Sequence, residues 1–295
     1  MTLFDATFRQ RCQYLDQTAR RSWGNRFLGR RLDRRWAGGS EFVGHSDYTC
    51  GDDFRYVDWA ICARHDELLT RRFRGSEDRT VYLLVDCSTG MAIGTPSKFD
   101  AARHLAAALG YLALANLDRV GVAAFSDRLL VEFSSGRGSG WAGRLFRFLD
   151  GLSPDRRPVK FAAAIDAFVR HRPRRGVTVV ISDLFDPAGF ESAIDHLALR
   201  GFAPYLLQVV DDSEADPSLA GAVTLIDRGR GHTRSTYLEE IDLANYRQVF
   251  QEFSNGCRRY CARRGIGIMQ TRGSTPFQES ILRMIRTATS RMYAQ

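Results

Sequence analysis

Two aspartates stand where apolar runs end. Asp86 closes "TVYLLVD" and is followed by Cys87, Ser88, Thr89 and Gly90, while Asp183 follows "VTVVIS" at the end of a second run. A carboxylate that ends a buried strand is costly to leave unpaired, so each needs a cation, an arginine or several backbone N–H groups. Ser88 adds a hydroxyl two residues after Asp86. Carboxylate and hydroxyl oxygens converging at a sheet edge suit a hard ion such as Mg²⁺, which keeps several waters and takes few protein ligands. The same aspartates would serve equally as caps of the helices that follow them, and spacing alone leaves both readings open.

The elements that must position these residues are legible from about Thr80 onward. "TVYLLVD" is a short apolar run of the buried-strand kind. "SKFDAARHLAAALGYLALANL" is an alanine- and leucine-rich helix that Ser97 and Asp100 open as a capping box. "DRVGVAAF" and "LLVEF" lie close enough to form a hairpin. Helices at "WAGRLFRFLDGL" and "KFAAAIDAFVRH", a strand at "GVTVVISDLF", a helix at "FESAIDHLALRG" and a strand at "APYLLQVVD" follow. A two-stranded ribbon over about 222–238, turning at Gly229–Gly231, precedes a long helix, the strand "GIGIMQT" and a closing helix. Buried strands alternating with amphipathic helices predict an α/β fold: a Rossmann-type, mainly parallel sheet with helices on both faces. A helical and irregular N-terminal segment over 1–78, with a helix from Asp5 to Trp23 and a glycine-rich irregular stretch from Trp36 to Thr49, precedes the sheet domain at 79–295. In such sheets ligands bind beyond the carboxyl ends of strands where the strand order switches, which is where Asp86 and Asp183 fall.

The bulk numbers fit a globular chain: 295 residues, 44% hydrophobic and 26% charged. No apolar run approaches the roughly 20 residues of a membrane span, and "MTLFDATFRQRC" carries acid and arginine where a signal peptide is apolar. A cytoplasmic protein is therefore expected. The six cysteines form no CxxC pair, and Cys257 and Cys261 have no neighbouring histidine to complete a zinc set, so they read as reduced thiols. The net charge of +8 is uneven, since Met1 to Arg35 holds nine arginines against Asp5, Asp16 and Asp33. Such an end suits nucleic acid, an anionic membrane surface or an acidic protein; a solvated helix face is the plainer reading.

"DCSTGM" resembles the first element, D-x-S-x-S, of the von Willebrand factor A metal-ion-dependent adhesion site, and "ISDLFD" resembles its last. Upstream, "YTCGDDFRYVDWAICARHDELLTRRF" is similar to the signature of the DUF58 family, roughly Y-x-x-G-D-D-x-R-x-I-D-W-x-x-x-A-R. Tyr48, Gly51, Asp52, Asp53, Arg55, Asp58, Trp59, Ala63 and Arg64 match it as they stand. The resemblance implies a von Willebrand A-like domain whose ligand site uses Asp86, Ser88 and Asp183, with Mg²⁺ as cofactor and a partner carboxylate completing the coordination. It also implies an adaptor or co-chaperone associated with MoxR-type AAA+ ATPases. Two departures matter. Gly90 stands where the family has a second serine, and Val159 or Lys160 stands where it has a threonine. Water filling the vacated positions would leave a weak Mg²⁺ site; alternatively Lys160, one of only two lysines, would place its ammonium in the cation's stead.

The stretch "GDDFRYVDW" also has two readings. It is either a partner surface, or even a carboxylate catalytic site, built from Asp52, Asp53, Arg55, Asp58, Trp59 and Arg64, or a salt-bridged segment whose aromatics pin it to the sheet domain, and the last is favoured. With no GxxxxGK[ST] loop and no GxSxG, the chain is expected to be a binding module, not an enzyme. A nucleic-acid or membrane-surface binder working through the arginine-rich end is the alternative. A metal-dependent phosphoesterase using Asp86, Asp183 and Asp186 stands behind it.

Overall fold

The structure is a computed structural model and describes residues 3–23, 41–48, 57–59, 61–62, 68–74, 80–171, 174–219, 221–227 and 232–293. The chain opens with helix α1 (Ala6–Trp23) and the antiparallel pair β1 (Glu41–Asp47) and β2 (Leu69–Arg74). It continues through β3 (Thr80–Asp86), α2 (Lys98–Ala115), β4 (Arg119–Phe125), β5 (Leu129–Arg137), α3 (Ala142–Asp150) and α4 (Phe161–His171). Then come β6 (Val177–Ser182), α5 (Glu191–Leu199), β7 (Ala203–Val210), the one-turn α6 (Asp212–Ala215) and the ribbon β8 (Gly221–Ile226) and β9 (Thr233–Leu238). The chain closes with α7 (Glu240–Arg264), β10 (Gly267–Arg272) and α8 (Phe277–Tyr293).

Six strands make one sheet in the order β10-β7-β6-β3-β4-β5. Every neighbouring pair is parallel except β4 with β5, the expected hairpin. All positions of β3, β6 and β7 are buried, because helices cover both faces and leave no polar side to alternate with. The order fixes where a ligand site falls. From β3 the chain steps outward to β4 and β5, then crosses back to β6 on the other side of β3 and steps outward again to β7 and β10. The strand order therefore switches between β3 and β6, and their carboxyl ends are where the ligand crevice of such sheets lies.

One hydrophobic core lies between the sheet and α1, α2, α3 and α8, and the other between the sheet and α4, α5 and α7. The expected boundary at 78/79 does not separate α1 from the sheet domain's packing: Phe8, Cys12, Leu15 and Ala19 of α1 lie in the first core. Phe4 and Phe8 meet Phe146, and Phe8 meets Phe277 at 4.8 Å between ring centroids. Arg9 and Arg11 face outward. The glycine-rich stretch expected to be irregular contains β1, because Leu69–Arg74 supplies the antiparallel partner that its own composition does not announce. The ribbon forms as β8 and β9, and its expected turn at Gly229–Gly231 lies outside the described residues. Cys12, Cys62, Cys87, Cys257 and Cys261 are free thiols. No helix among the described residues is long and apolar enough to cross a membrane.

Because Phe8 is a core residue, Phe8→Ala should lower unfolding free energy by about 3–5 kcal/mol in denaturant titration. A change under about 0.5 kcal/mol would instead mark α1 as a detachable surface helix.

Candidate functional site at the sheet switch point

Asp86 is fully buried at the end of β3. Its two oxygens are each held: the Ser182 hydroxyl donates to Oδ2 at 2.5 Å and the Ser88 backbone N–H donates to Oδ1 at 2.8 Å. The loop carrying Ser88 is pinned from two sides. The Cys87 N–H donates to the Phe125 carbonyl at 2.7 Å, and the α3–α4 loop lies against it through Asp155 N–H to Cys87 O and Thr89 N–H to Arg157 O. Burial, and then the nearby charge of Asp183, push the Asp86 carboxyl up to about 7, against the pull of its serine hydrogen bonds.

Asp183 follows β6 at a turn in which Leu184 adopts φ +68°, a left-handed conformation uncommon for a bulky residue, with its side chain wholly buried. The turn satisfies itself: Leu184 N–H donates to Ser182 Oγ at 3.0 Å and Phe185 N–H donates to Asp183 Oδ1 at 3.0 Å. The second oxygen of Asp183 faces Lys98. Lys98 is the first residue of α2 and its side chain is 0% exposed; its ammonium lies 2.7 Å from Asp183 Oδ2 and 2.5 Å from Glu214 Oε1. Glu214 is held in turn by the start of α6. Its Oε2 accepts the Asp211 N–H at 3.1 Å while the Asp211 carboxylate accepts from Ser213, a reciprocal cap. The Phe185 ring lies 5.6 Å from the ammonium and stacks on Phe253 at 4.8 Å, adding a cation–π contact.

The electrostatics follow from this packing. Burial pulls the Lys98 ammonium toward deprotonation, but Asp183 and Glu214 more than reverse it, so its pKa rises and it stays charged. Burial pushes Glu214 upward and Lys98 only partly offsets this. The contact distances favour the ionised pair at neutral pH, with Glu214 taking a proton more readily than an exposed glutamate as pH falls. Gly90 lets the β3 loop approach this pair, since a Cβ there would sit 3.0 Å from Asp183 Oδ2.

The structure gathers Asp86, Ser88, Gly90 and Asp183 into one place. Lys160 is exposed, its backbone N–H donating to Ser126 O, and the lysine that reaches Asp183 is Lys98. Val159 is buried in the second core. Asp186, offered as a metal ligand in the phosphoesterase reading, caps α4 instead: Oδ2 accepts the Phe161 N–H at 2.8 Å and Oδ1 the Ala188 N–H at 2.9 Å. Asp58 is buried, with Oδ2 3.1 Å from His45 Nε2. Trp59 does not pin its segment to the sheet, being 63% exposed. Asp52, Asp53, Arg55 and Arg64 lie outside the described residues. Sequence reasoning missed Lys98, Ser182 and Glu214. The scarcity of lysine and the D-x-x-E pattern Asp211–Glu214 at a strand end were the available signals.

Removing one partner of a buried ion pair strands the other's charge. Lys98→Met should therefore cost about 3–5 kcal/mol of unfolding free energy, and adding Asp183→Asn and Glu214→Gln should recover part of it. A strictly additive triple variant in denaturant titration would refute the coupling. The raised Asp86 pKa means the folded state keeps a proton between the ordinary carboxyl value of 3.8, where the unfolded chain releases it, and about 7. Asp86 thus contributes stability that is complete below that window and lost as pH rises through it. The slope of thermal stability over that window should flatten in Asp86→Asn.

Residues 45–258 match the family described as "Protein of unknown function DUF58". An uncharacterized protein of Mycobacterium bovis is 28% identical over 191 residues, covering 63% of this chain and 60% of its own length. The chain's match thus spans 60% of that curated relative. Among solved structures, the conserved hypothetical protein BatB from Bacteroides thetaiotaomicron aligns with TM-score 0.44 at 19% identity, covering 72% of this chain and 99% of that one. An aerotolerance-related membrane protein from Bacteroides fragilis aligns with TM-score 0.42 at 19% identity, covering 71% and 99%.

Proposed function

We propose, from the premise that this chain belongs to the DUF58 family, that it is a non-enzymatic protein-binding module. In this reading it is a von Willebrand A-like adaptor or co-chaperone that works in the cytoplasm with a MoxR-type AAA+ ATPase in protein assembly or maturation. The observation that carries the preference for binding over catalysis is the saturation of the switch-point carboxylates. Both oxygens of Asp86 and both of Asp183 accept from donors inside the protein, leaving neither free as a general base. Of the described histidines, His45 faces Asp58, His104 is packed among Phe4, Phe8 and Phe277, where burial lowers its pKa, and His171 and His196 lie on helices.

The contact face we assign is the rim of the crevice. Phe185 and Tyr246 stand there 37% and 44% exposed, joined through Phe250. Partly exposed aromatics seated on a rigid support are the side chains that most often anchor a protein interface. The alternative reading, a nucleic-acid or anionic-membrane binder, draws on Arg9 and Arg11 on the outer face of α1 and predicts steep salt dependence. The phosphoesterase reading loses support from the capping role of Asp186.

The test is direct binding of the purified protein to a MoxR-type AAA+ ATPase from the same genome, by biolayer interferometry. Phe185→Ala should weaken binding roughly tenfold, about 1.4 kcal/mol, with circular dichroism unchanged. Absence of binding, or binding indifferent to Phe185 and Tyr246 alike, would sink the reading.

A further inference from the structure

The residues at the switch point do not fit the divalent ion that the resemblance implies. A Mg²⁺ site needs oxygens free to approach a common centre at about 2.0–2.1 Å in near-octahedral geometry. Here Asp183 Oδ2 is engaged at 2.7 Å by the Lys98 ammonium, and that ammonium is engaged at 2.5 Å by Glu214 Oε1. Asp86 is turned to Ser182 and to its own loop, and Gly90 brings no hydroxyl. Among the described residues no group of three His, Cys, Asp or Glu side chains is placed to hold a metal ion.

We propose that the Lys98 ammonium is the resident cation of this site, a covalently tethered substitute for a divalent metal. Three features fit it for that place. It is wholly buried, out of contact with solvent. It bridges two carboxylates from separate strand ends, one after β6 and one after β7, as a metal would. Gly90 leaves room beside Asp183 where a serine hydroxyl would crowd the pair. A wholly buried cation already held between two carboxylates is out of reach of a partner's carboxylate. Recognition at this face is consequently independent of divalent metal and falls to the groups around the crevice. The inference stands on the geometry of Lys98 and does not require the ATPase reading; its test contains no partner protein.

The experiment is Mn²⁺ titration of the full chain, followed by calorimetry and electron paramagnetic resonance, with Asp183→Asn and Lys98→Ala in parallel. The wild-type chain should bind no Mn²⁺ at millimolar concentration and melt at the same temperature in Mn²⁺ and in chelator. Lys98→Ala should bind one Mn²⁺ per chain, or recover its fold only when Mn²⁺ is present, and Lys98→Ala with Asp183→Asn should lose that response. Two outcomes overturn the proposal. One is a wild-type chain that binds one Mn²⁺ and loses it in Asp183→Asn. The other is a Lys98→Ala chain that Mn²⁺ neither binds nor rescues.

Discussion

The arrangement at the sheet edge rests on the cost of desolvating a carboxylate. A buried strand that ends in an acid must find that acid a partner or lose stability. Two such strands lie side by side here, with a third acid arriving from the strand beyond. The partners differ in kind. Asp86 is satisfied by neutral donors and keeps a raised pKa, whereas Asp183 and Glu214 share the one buried ammonium. Much of the local architecture follows from feeding these oxygens: the left-handed Leu184 turn, the cap at the start of α6 and the close approach at Gly90.

A buried ion pair of this sort is weak evidence of stability in itself, because well-packed apolar residues of the same volume often do as well. Its value lies in position. Lys98 joins the start of α2 to the ends of two strands, one on each side of the boundary between β6 and β7. The crevice therefore has a fixed shape, and Phe185 is held over it by Phe253 behind and the ammonium beside it.

How far the sequence carried the fold depended on burial. Strands β3, β6 and β7 were legible because covered faces demand uninterrupted apolar runs, and α2 because Ser97 accepts the Asp100 N–H at 3.0 Å, one half of the expected capping box, while the Asp100 carboxylate pairs with Arg103. The pair β1 and β2 was not, since a glycine in one and arginines in the other hide the pairing that stabilises both. Asp86 and Asp183 were legible as strand ends. Lys98 was not, because a lysine at a helix start looks solvent-facing and nothing local reveals that it turns inward. Its partners lie far along the chain, and only the tertiary fold brings them to it. Trp59 shows the converse: a residue type that usually packs stands exposed.

The long reach of Lys98 also bears on how the molecule comes into being. Its two carboxylate partners are 85 and 116 residues downstream. Contacts so distant in sequence form late, after the intervening crossovers have closed. A chain growing from its N-terminus therefore holds an unmatched ammonium until Asp183 arrives, and completes its pairing only when Glu214 has been added. The ionic knot closes only around a sheet whose central strands β3, β6 and β7 are all in place.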